Sequence, residues 1–383
     1  MPETALRPAS LLNRQPVRVK AFLVFLCLYL FLVGIGAMGT AVKLMGGADA
    51  EQLIKTSGPL VSLFVGILAT TLVQSSSTST AAIVTLVAAG QLGPVSGMYM
   101  VMGANVGTTV TNTIVSLGHI TRTHEYRRAF AAATVHDFFN VLVLLVLFPL
   151  EVYTNFLWDK GILAYVAEAA ASSFETVGGG KLGSPIKIIT GPMLEFLKWV
   201  CLGNGVALLV VGLLLMFSML IGLVRVLKAL TLHRVENLFD KVIFRTPLRS
   251  LFFGFALTVL VQSSSITTSV AVPLVGAGIL TIRQVFPYTM GANIGTTCTA
   301  LLAALGAMAI ADSDSQATAG LRVAFFQVFF NVTGVVLIWW IRWLPIMIAE
   351  FFASLAMRNR LIPIFYIIIV FYLLPAAVIW LGS

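Results

Sequence analysis

One polar block occurs twice in this chain, 188 residues apart, and each copy interrupts a long apolar stretch. The sequence Leu-Val-Gln-Ser-Ser-Ser fills residues 72–77 and again residues 260–265. A second block, Met-Gly-Ala-Asn-Val-Gly-Thr-Thr at 102–109, recurs at the same offset with one Val replaced by Ile. Between residues 72 and 111, 21 of 40 aligned positions are identical without a gap. Such self-similarity predicts a chain of two related halves.

The apolar stretches indicate an integral membrane protein. Hydrophobic residues make up 58% of the 383 residues and charged residues only 10%, whereas a soluble chain has roughly 45–50% and about 25%. A membrane-spanning helix needs roughly 20 apolar residues. Segments 21–38, 200–224 and 362–381 approach or exceed that length. We therefore expect an all-α integral membrane fold.

Seven spanning segments and two re-entrant hairpins account for these stretches. The predicted spans are residues 20–42, 95–117, 128–149, 194–224, 283–308, 321–343 and 361–381. The two Gln-Ser-Ser-Ser blocks lie mid-way in the remaining apolar stretches, 57–91 and 248–279, each too long for one span. Non-helical backbone is tolerated at membrane depth where it lines a cavity inside the protein. A helical hairpin that enters and leaves on one side is therefore predicted for each block.

The positive charges orient the spans. The net charge is +9, and basic residues cluster in short polar stretches at 7–20, 122–128 and 225–249. The positive-inside rule explains these clusters, so nucleic acid is not an expected partner and the lipid bilayer is. A cytoplasmic N-terminus places all three stretches inside. The two halves then have opposite topology, which is the inverted-repeat plan of many secondary transporters.

The predicted organisation follows from this layout. It comprises a cytoplasmic tail (1–19), a first repeat of one span, a hairpin and two spans (20–149), an external segment (150–193), a second inverted repeat (194–345), and a C-terminal amphipathic stretch with the last span (346–383). We expect a multi-pass protein of the plasma membrane. The sequence leaves the oligomeric state open, and a dimer is among the arrangements that it allows.

The Ser blocks predict an anion site. A hairpin that breaks at Gln-Ser-Ser-Ser starts its second helix inside the protein, where the first N–H groups have no helical partner and the helix macrodipole is positive. Serine hydroxyls add further donors. Two such helix starts that converge near the membrane midplane suit a phosphate-like oxyanion. The same hydroxyls and unwound carbonyls can bind a cation such as sodium. The alternative is that these side chains only hold helices together.

The second repeated block predicts a locally unwound span. Glycine relaxes a helix, while Asn and Thr offer ligands. The alternative for Gly103, Gly107, Gly291 and Gly295 is small-residue helix packing. The phosphate-binding candidates from both blocks are Gln74, Ser75, Ser76, Ser77, Asn105, Thr108, Gln262, Ser263, Ser264, Ser265, Asn293 and Thr296.

An acidic residue inside the third span predicts a cation site. Asp137 follows His136 within an apolar stretch, and an ionisable residue there is a functional candidate by default. The alternative is an ion pair with Arg127 or Arg128. The Phe-Phe-Asn sequence after it recurs at 329–331, but the second half has Gln and Val where His and Asp stand. The sodium-binding candidates are Thr78, Thr109, Asp137, Asn140, Thr268, Thr297, Gln327 and Asn331.

Enzyme signatures are missing from the sequence. It contains no Gly-x-Ser-x-Gly elbow, no Walker loop, no His-Glu-x-x-His and no metal-spaced His or Cys set. We therefore expect no enzyme, no cofactor and no transition metal. A channel filter is formed by a ring of subunits, whereas two internal inverted copies suit alternating access. A transporter is the predicted class, and a membrane sensor or scaffold that binds phosphate without moving it is the rival class.

These residues resemble the type II sodium-dependent phosphate cotransporters. The likeness rests on the doubled Gln-Ser-Ser-Ser, the Gly-Ala-Asn-Val-Gly-Thr-Thr run and the stretch from Arg127 to Asn140, and it extends over about residues 20–345. The length is similar to that of a bacterial member, which implies the bacterial inner membrane. The resemblance implies phosphate as substrate, sodium as coupling ion, and sites formed by both hairpins with unwound second and fifth spans. Another oxyanion or a carboxylate on the same scaffold is the alternative substrate.

Two departures from the family pattern stand out. The external segment contains no cysteine, whereas animal members are stapled there. Where charge-moving members carry an acid, this chain has Arg122. We therefore predict electroneutral transport, with two sodium ions for each divalent phosphate. The alternative is that Asp137 or Glu125 serves a third sodium ion.

Overall fold

Helices form every regular element of the described chain. The computed structural model describes residues 15–44, 58–108, 110–117, 123–176, 183–235, 243–308 and 314–382. In chain order the helices are α1 Val17–Leu44, α2 Pro59–Val73, α3 Ser76–Ala88, α4 Pro94–Gly107, α5 Val110–Leu117, α6 Thr123–Trp158, α7 Ile162–Thr176, α8 Gly183–Val200, α9 Gly205–Val235, α10 Pro247–Val261, α11 Ser264–Gly276, α12 Ile282–Ala307, α13 Asp314–Trp339, α14 Trp343–Arg358, α15 Ile362–Ile368 and α16 Leu374–Gly382. A π-helical turn at Ile369–Leu373 joins α15 to α16.

Five helical segments of the described chain are long and apolar enough to cross a membrane. They are Val17–Met38, His124–Trp158, Ile282–Ala307, Thr318–Trp339 and Ile362–Gly382. The all-α membrane class predicted from composition is thereby confirmed. Seven such spans were predicted. Of the other two, 95–117 is divided between α4 and α5, and 194–224 begins in α8 and continues in α9.

The span predicted at 194–224 is one of the divided segments. It breaks between α8 and α9, where Leu202 and Gly203 have φ angles of 52° and 70°. The side chain of Asn204 accepts a hydrogen bond from the N–H of Ala207 at 3.0 Å. The predicted start of this span at residue 194 was wrong, because this left-handed turn ends α8 and the Asn caps α9, which contains the rest of the predicted span.

The two Gln-Ser-Ser-Ser blocks have the same backbone. Each joins two helices, α2 to α3 and α10 to α11. Gln74 and Gln262 are left-handed, with φ and ψ of 58° and 27° and of 55° and 28°. Ser75 and Ser263 are extended, with φ and ψ of −154° and 107° and of −153° and 108°. A left-handed residue other than glycine is uncommon, so the sequence repeat is also a repeat of structure.

Glycines bring the first helix of each repeated pair against a neighbour. Helix α2 packs on α4, and α10 packs on α12. A Cβ atom on Gly103 would lie 2.0 Å from the carbonyl oxygen of Leu63, and one on Gly291 would lie 1.9 Å from that of Leu251. No side chain fits at either crossing. Small-residue packing, the alternative considered for these glycines, therefore accounts for them.

Helices α1 and α9 run in opposite directions. Helices α1 and α9 begin 188 residues apart and pack along each other. A Cβ atom on Gly34 would lie 2.6 Å from the amide nitrogen of Met216, and one on Gly212 would lie 2.9 Å from that of Met38. Later residues of α1 therefore meet earlier residues of α9. The pair is antiparallel.

The segment predicted as external, 150–193, contains helices that the sequence analysis did not anticipate. Helix α6 continues to its end within this segment, and α7 packs on α13 with Leu163 and Ala167 in the main core. The carboxylate of Glu151 accepts hydrogen bonds from the N–H groups of Leu163 and Ala164, both at 2.9 Å. These bonds satisfy the first turn of α7, whose amides have no helical partner.

A charged contact joins α7 to α13. Glu168 accepts a hydrogen bond from Lys160 and forms an ion pair with Nη2 of Arg322 at 2.9 Å. The hydrogen bond from Lys160 lowers the pKa of the Glu168 carboxyl below its usual value, and the charge of Arg322 acts in the same direction. Because these groups are partly exposed, they contribute little stability. They set where α7 lies along α13.

Candidate functional site

The Gln side chains at the two helix breaks are tied to helices that follow them. Oε1 of Gln74 accepts a hydrogen bond from Thr111 on α5, and Oε1 of Gln262 accepts one from Thr299 on α12, both at 2.9 Å. Each Nε2 donates to the carbonyl three residues earlier in its own helix. The two Thr partners are also 188 residues apart, so the contact itself is repeated. The oxygen and the nitrogen of each Gln side chain therefore both form a hydrogen bond.

The residue after each Gln caps a helix. Oγ of Ser75 accepts from the N–H of Thr78 at 3.3 Å, and Oγ of Ser263 accepts from the N–H of Ile266 at 3.4 Å. The first turns of α3 and α11 hold further N–H groups with no helical partner, where the macrodipole places about half a positive charge. The other serines of the blocks lie in these turns: Ser76, Ser77 and Ser264 are buried and Ser265 is half-buried.

Most predicted Thr ligands bond within their own helix. The hydroxyls of Thr108, Thr268 and Thr296 donate to the carbonyl four residues earlier, at 3.0, 2.8 and 3.1 Å. That of Thr297 donates to the carbonyl three residues earlier at 2.8 Å, and that of Thr78 meets the capping serine at 2.8 Å. A hydroxyl that donates in this way still has oxygen lone pairs to offer a cation.

The predicted unwinding of the second block is wrong in one half. Helix α12 runs without interruption through Asn293 and Gly295. A Cβ atom on Gly295 would lie 2.7 Å from the Cβ of a Thr on α10, so the glycine serves packing rather than unwinding. In the first half α4 ends at Gly107 and Thr108 forms a turn before α5. The span predicted at 95–117 is thus two helices, and Thr109 lies outside the described residues.

A cluster of buried amides lies where α4, α6, α12 and α13 meet. Nδ2 of Asn293 donates to Oδ1 of Asn331 at 2.6 Å and to Oδ1 of Asn140 at 3.0 Å. Oδ1 of Asn293 accepts from Nε2 of His136 at 3.1 Å. Nδ2 of Asn140 donates to the carbonyl of Asn105 at 2.9 Å. None of these five side chains is more than 4% exposed. The structure therefore brings predicted ligands of both halves together.

His136 is the member of this cluster that sequence analysis missed. It was seen beside Asp137 but was given no role. Its contact with Asn293 joins residues 157 positions apart, so no local pattern could reveal it. One sequence signal was available: His136 is an ionisable residue inside a predicted span, and such residues are functional candidates whether they are His or Asp.

Several polar atoms of the cluster have no hydrogen-bond partner within the described chain. They are Oδ1 of Asn105, Nδ1 of His136, and both Oε1 and Nε2 of Gln327. Gln327 is 0% exposed. Buried polar side-chain atoms are usually satisfied, so orphaned ones mark a place for a ligand. The two amide oxygens are ligands of the kind that hard cations prefer.

Asp137 lies on α6 next to His136 and is 0% exposed. The hydroxyl of Tyr366 on α15 donates to its Oδ2 at 3.4 Å. The Tyr366 ring packs edge-to-face on Phe352 with ring centroids 4.9 Å apart. Arg128, one of the two arginines considered as a partner for Asp137, donates instead to the carbonyl of Gly276. The last segment of the chain therefore contributes to the surroundings of Asp137.

The halves also cross at the second helix of each repeated pair. Helix α3 packs on α12 and α13, and α11 packs on α5 and α6. Nδ2 of Asn112 on α5 lies 2.8 Å from Oγ1 of Thr268 on α11. Each Ser-led helix is therefore held against the opposite half.

Comparison with known proteins identifies a family and several relatives. The sequence profile of the Na+/Pi-cotransporter family matches residues 30–158 and 204–374. The chain is 33% identical to sodium-dependent phosphate transport protein 2A of Rattus norvegicus over 92% of this chain and 66% of the relative. It is 30% identical to sodium-dependent phosphate transport protein 2B of Homo sapiens over 93% of this chain and 64% of the relative.

The chain spans a little under two thirds of the length of these relatives. No solved structure matches it. The family profile covers both Gln-Ser-Ser-Ser blocks, both Met-Gly-Ala-Asn blocks and the buried amide cluster. This chain belongs to the Na+/Pi-cotransporter family.

Proposed function

We propose that this chain imports inorganic phosphate together with sodium ions by alternating access between its two halves. The observation that carries the proposal is the duplicated helix break, which accompanies one buried cluster built from both halves. The similar proteins are named sodium-dependent phosphate transport proteins. Those names supply the substrate and the coupling ion.

Phosphate would bind at the starts of α3 and α11. Free N–H groups and a positive dipole end suit an oxyanion, and serine hydroxyls add donors. The proposed ligands are Gln74, Ser75, Ser76, Ser77, Asn105, Thr108, Gln262, Ser263, Ser264, Ser265, Asn293 and Thr296. Because both Gln amides hold the breaks in place, the serines would make most of the direct contacts in this conformation. The two starts would approach one site near the midplane.

Sodium would bind near Asp137, with ligands from both halves. A carboxylate buried in a span is best explained by a cation partner. The side-chain oxygens of Asn105 and Gln327, which have no hydrogen-bond partner within the described chain, offer neutral ligands. The proposed sodium ligands are Thr78, Thr109, Asp137, Asn140, Thr268, Thr297, Gln327 and Asn331. Glu151, the other buried carboxylate of α6, already accepts two backbone hydrogen bonds.

The halves would form an inverted repeat with re-entrant hairpins. The matching backbones at the two breaks and the antiparallel packing of α1 on α9 support this. The positive-inside rule then places the N-terminus in the cytoplasm. The protein would lie in the inner membrane of a bacterium and cross it several times.

Uptake into proteoliposomes tests the proposal. The full chain is reconstituted, and entry of radiolabelled phosphate is followed with an inward sodium gradient or with choline in its place. We expect accumulation only with sodium, and no inhibition by excess sulfate or a dicarboxylate. Inhibition by either anion would favour the alternative substrate. Phosphate binding without accumulation would favour a sensor and contradict transport.

A further inference from the structure

A cavity lies away from the helix breaks. It is formed by the start of α6, the α11–α12 connection and α14. Its volume is about 570 Å³. The polar lining residues are His124, Arg127, Arg128, Thr281 and Glu350. Two guanidinium groups thus face one carboxylate. The start of α12 adds the positive end of a 26-residue helix.

Arg128 is hydrogen-bonded to a neutral partner in this cavity. Its Nε and Nη2 donate to the carbonyl of Gly276, the last residue of α11, at 3.0 and 2.7 Å. A Cβ atom on Gly278, which has a φ of 76°, would lie 3.5 Å from Cζ of Arg128. A carbonyl does not cancel the charge, and the other N–H groups of the guanidinium remain to donate. The Arg128 guanidinium therefore keeps its positive charge and has N–H donors that this carbonyl does not use.

The matching turn in the first half shows that this charge is not needed to close the helix. Gly90, the counterpart of Gly278, also has a φ of 76°. A Cβ atom on Gly90 would lie 2.8 Å from Nε2 of Gln316. A neutral amide thus occupies the place that Arg128 takes in the second half. Capping alone does not explain an arginine there, nor the neighbouring Arg127 and His124.

The cavity is also separate from the proposed phosphate site at the helix starts. It lies at the C-terminal end of α11, whereas Ser263 caps the N-terminal end. The 13 residues of α11 separate the two by about 20 Å at 1.5 Å per residue. On the proposed topology the cavity opens to the cytoplasm, where the transporter would release phosphate and where anionic lipid headgroups also lie.

We infer that the Arg127–Arg128 cavity is a second, sodium-independent binding site for a phosphate group. Bidentate arginine donors match phosphate oxygens, and the lining contains only one competing carboxylate. The inference rests on the proposed function only for the choice of phosphate over other anions. The phosphate group can belong to free inorganic phosphate or to the headgroup of an anionic phospholipid.

Phosphate binding without sodium tests the inference. Inorganic phosphate is titrated calorimetrically into the full chain, purified in a neutral detergent with choline as the only bulk cation. We expect saturable binding that Arg127→Gln weakens roughly tenfold, because it removes one charge-assisted contact. Arg249→Gln is the matched control, since it removes an equal charge from an exposed position outside the cavity lining and should leave the affinity unchanged.

A second experiment, with lipids, distinguishes free phosphate from a phospholipid headgroup as the ligand. The same variants are placed in nanodiscs of phosphatidylcholine with or without phosphatidic acid, and retained lipid is counted by native mass spectrometry. Retention of phosphatidic acid that Arg127→Gln abolishes, without binding of inorganic phosphate, would assign the site to a headgroup. If neither ligand depends on Arg127, the inference is wrong. Sodium-driven uptake by the parent protein is measured in parallel, so failure of transport is seen separately.

Discussion

The two halves of this protein share their backbone at the helix breaks but differ in their buried polar contacts. On α6, His136 donates to Asn293 of the second half. The counterpart of His136 on α13 is Gln327, and the counterpart of Asn293 is Asn105. Yet the side-chain amide of Gln327 and Oδ1 of Asn105 have no hydrogen-bond partner within the described chain. The hydrogen bond between His136 and Asn293 therefore has no equivalent between their counterparts, Gln327 and Asn105.

The carboxylate makes the second difference between the halves. Asp137 follows His136, whereas Val328 follows Gln327. The helix starts proposed to bind phosphate are duplicated, whereas the buried carboxylates of the described chain, Asp137 and Glu151, both lie on α6. The two halves therefore share the geometry proposed for the anion and differ where the cation is proposed to bind.

The largest effect is expected where the halves are most alike. Gly291→Ala places a Cβ atom 1.9 Å from a backbone carbonyl, and Gly103→Ala places one 2.0 Å away. Forced overpacking costs about 1–3 kcal/mol and occasionally more, and here backbone must move, so we expect little folded protein from either variant. Size-exclusion chromatography of the detergent-solubilised protein measures this. Gly93→Ala is the control, since nothing lies within 4 Å of its Cβ position. Normal yields of both variants would refute the repeated close crossing.

The next largest effect is expected at Asp137, the carboxylate that has no counterpart in the second half. Asp137→Asn removes the charge proposed to hold sodium and keeps the shape of the side chain. We expect the sodium concentration for half-maximal uptake to rise roughly tenfold or more, with a smaller change in phosphate affinity at saturating sodium. Glu151→Gln is the matched control on the same helix and should retain the parent's sodium dependence. Superimposable sodium activation curves for Asp137→Asn and the parent would remove Asp137 from the sodium site.

A smaller effect is expected to distinguish His136, which is hydrogen-bonded to Asn293, from its counterpart Gln327. His136→Leu leaves Oδ1 of Asn293 without its partner, at a cost of about 1–3 kcal/mol, so we expect a lower Tm. Gln327→Leu removes an amide that has no partner, so we expect an equal or higher Tm. Sodium-dependent uptake should nevertheless weaken in Gln327→Leu if its oxygen binds the ion. Thermal unfolding of both variants in the same detergent gives the answer, and equal losses of Tm would contradict the asymmetry.

The smallest expected effect is that of membrane potential. Two sodium ions with one divalent phosphate move no net charge, whereas a third sodium would add about 2.3 kcal/mol of driving force per 100 mV. Arg122, which motivates the electroneutral prediction, lies outside the described residues. Uptake into liposomes with a potassium–valinomycin potential should be the same for either sign. A clear rise with an inside-negative potential would show that net positive charge enters.

Sequence alone could predict the helix breaks, because Gln-Ser-Ser-Ser is a local signal that occurs twice. It could also select Asn105 and Asn293 as candidate phosphate ligands and Asn140 and Asn331 as candidate sodium ligands, but not that the four lie in one cluster. It could not predict that α12 stays helical, because Gly295 packs against α10 through a tertiary contact. Nor could it predict α7, whose first turn depends on Glu151 from α6.

The central claim is that both helix starts contribute to one phosphate site. The most direct measurement is a cryo-electron microscopy structure of the full chain with sodium and phosphate present. The account predicts a single phosphate density within hydrogen-bonding distance of Ser76 or Ser77 on one side and Ser264 or Ser265 on the other. Two Ser-led helix starts on opposite faces of the membrane, with no density between them, would contradict it.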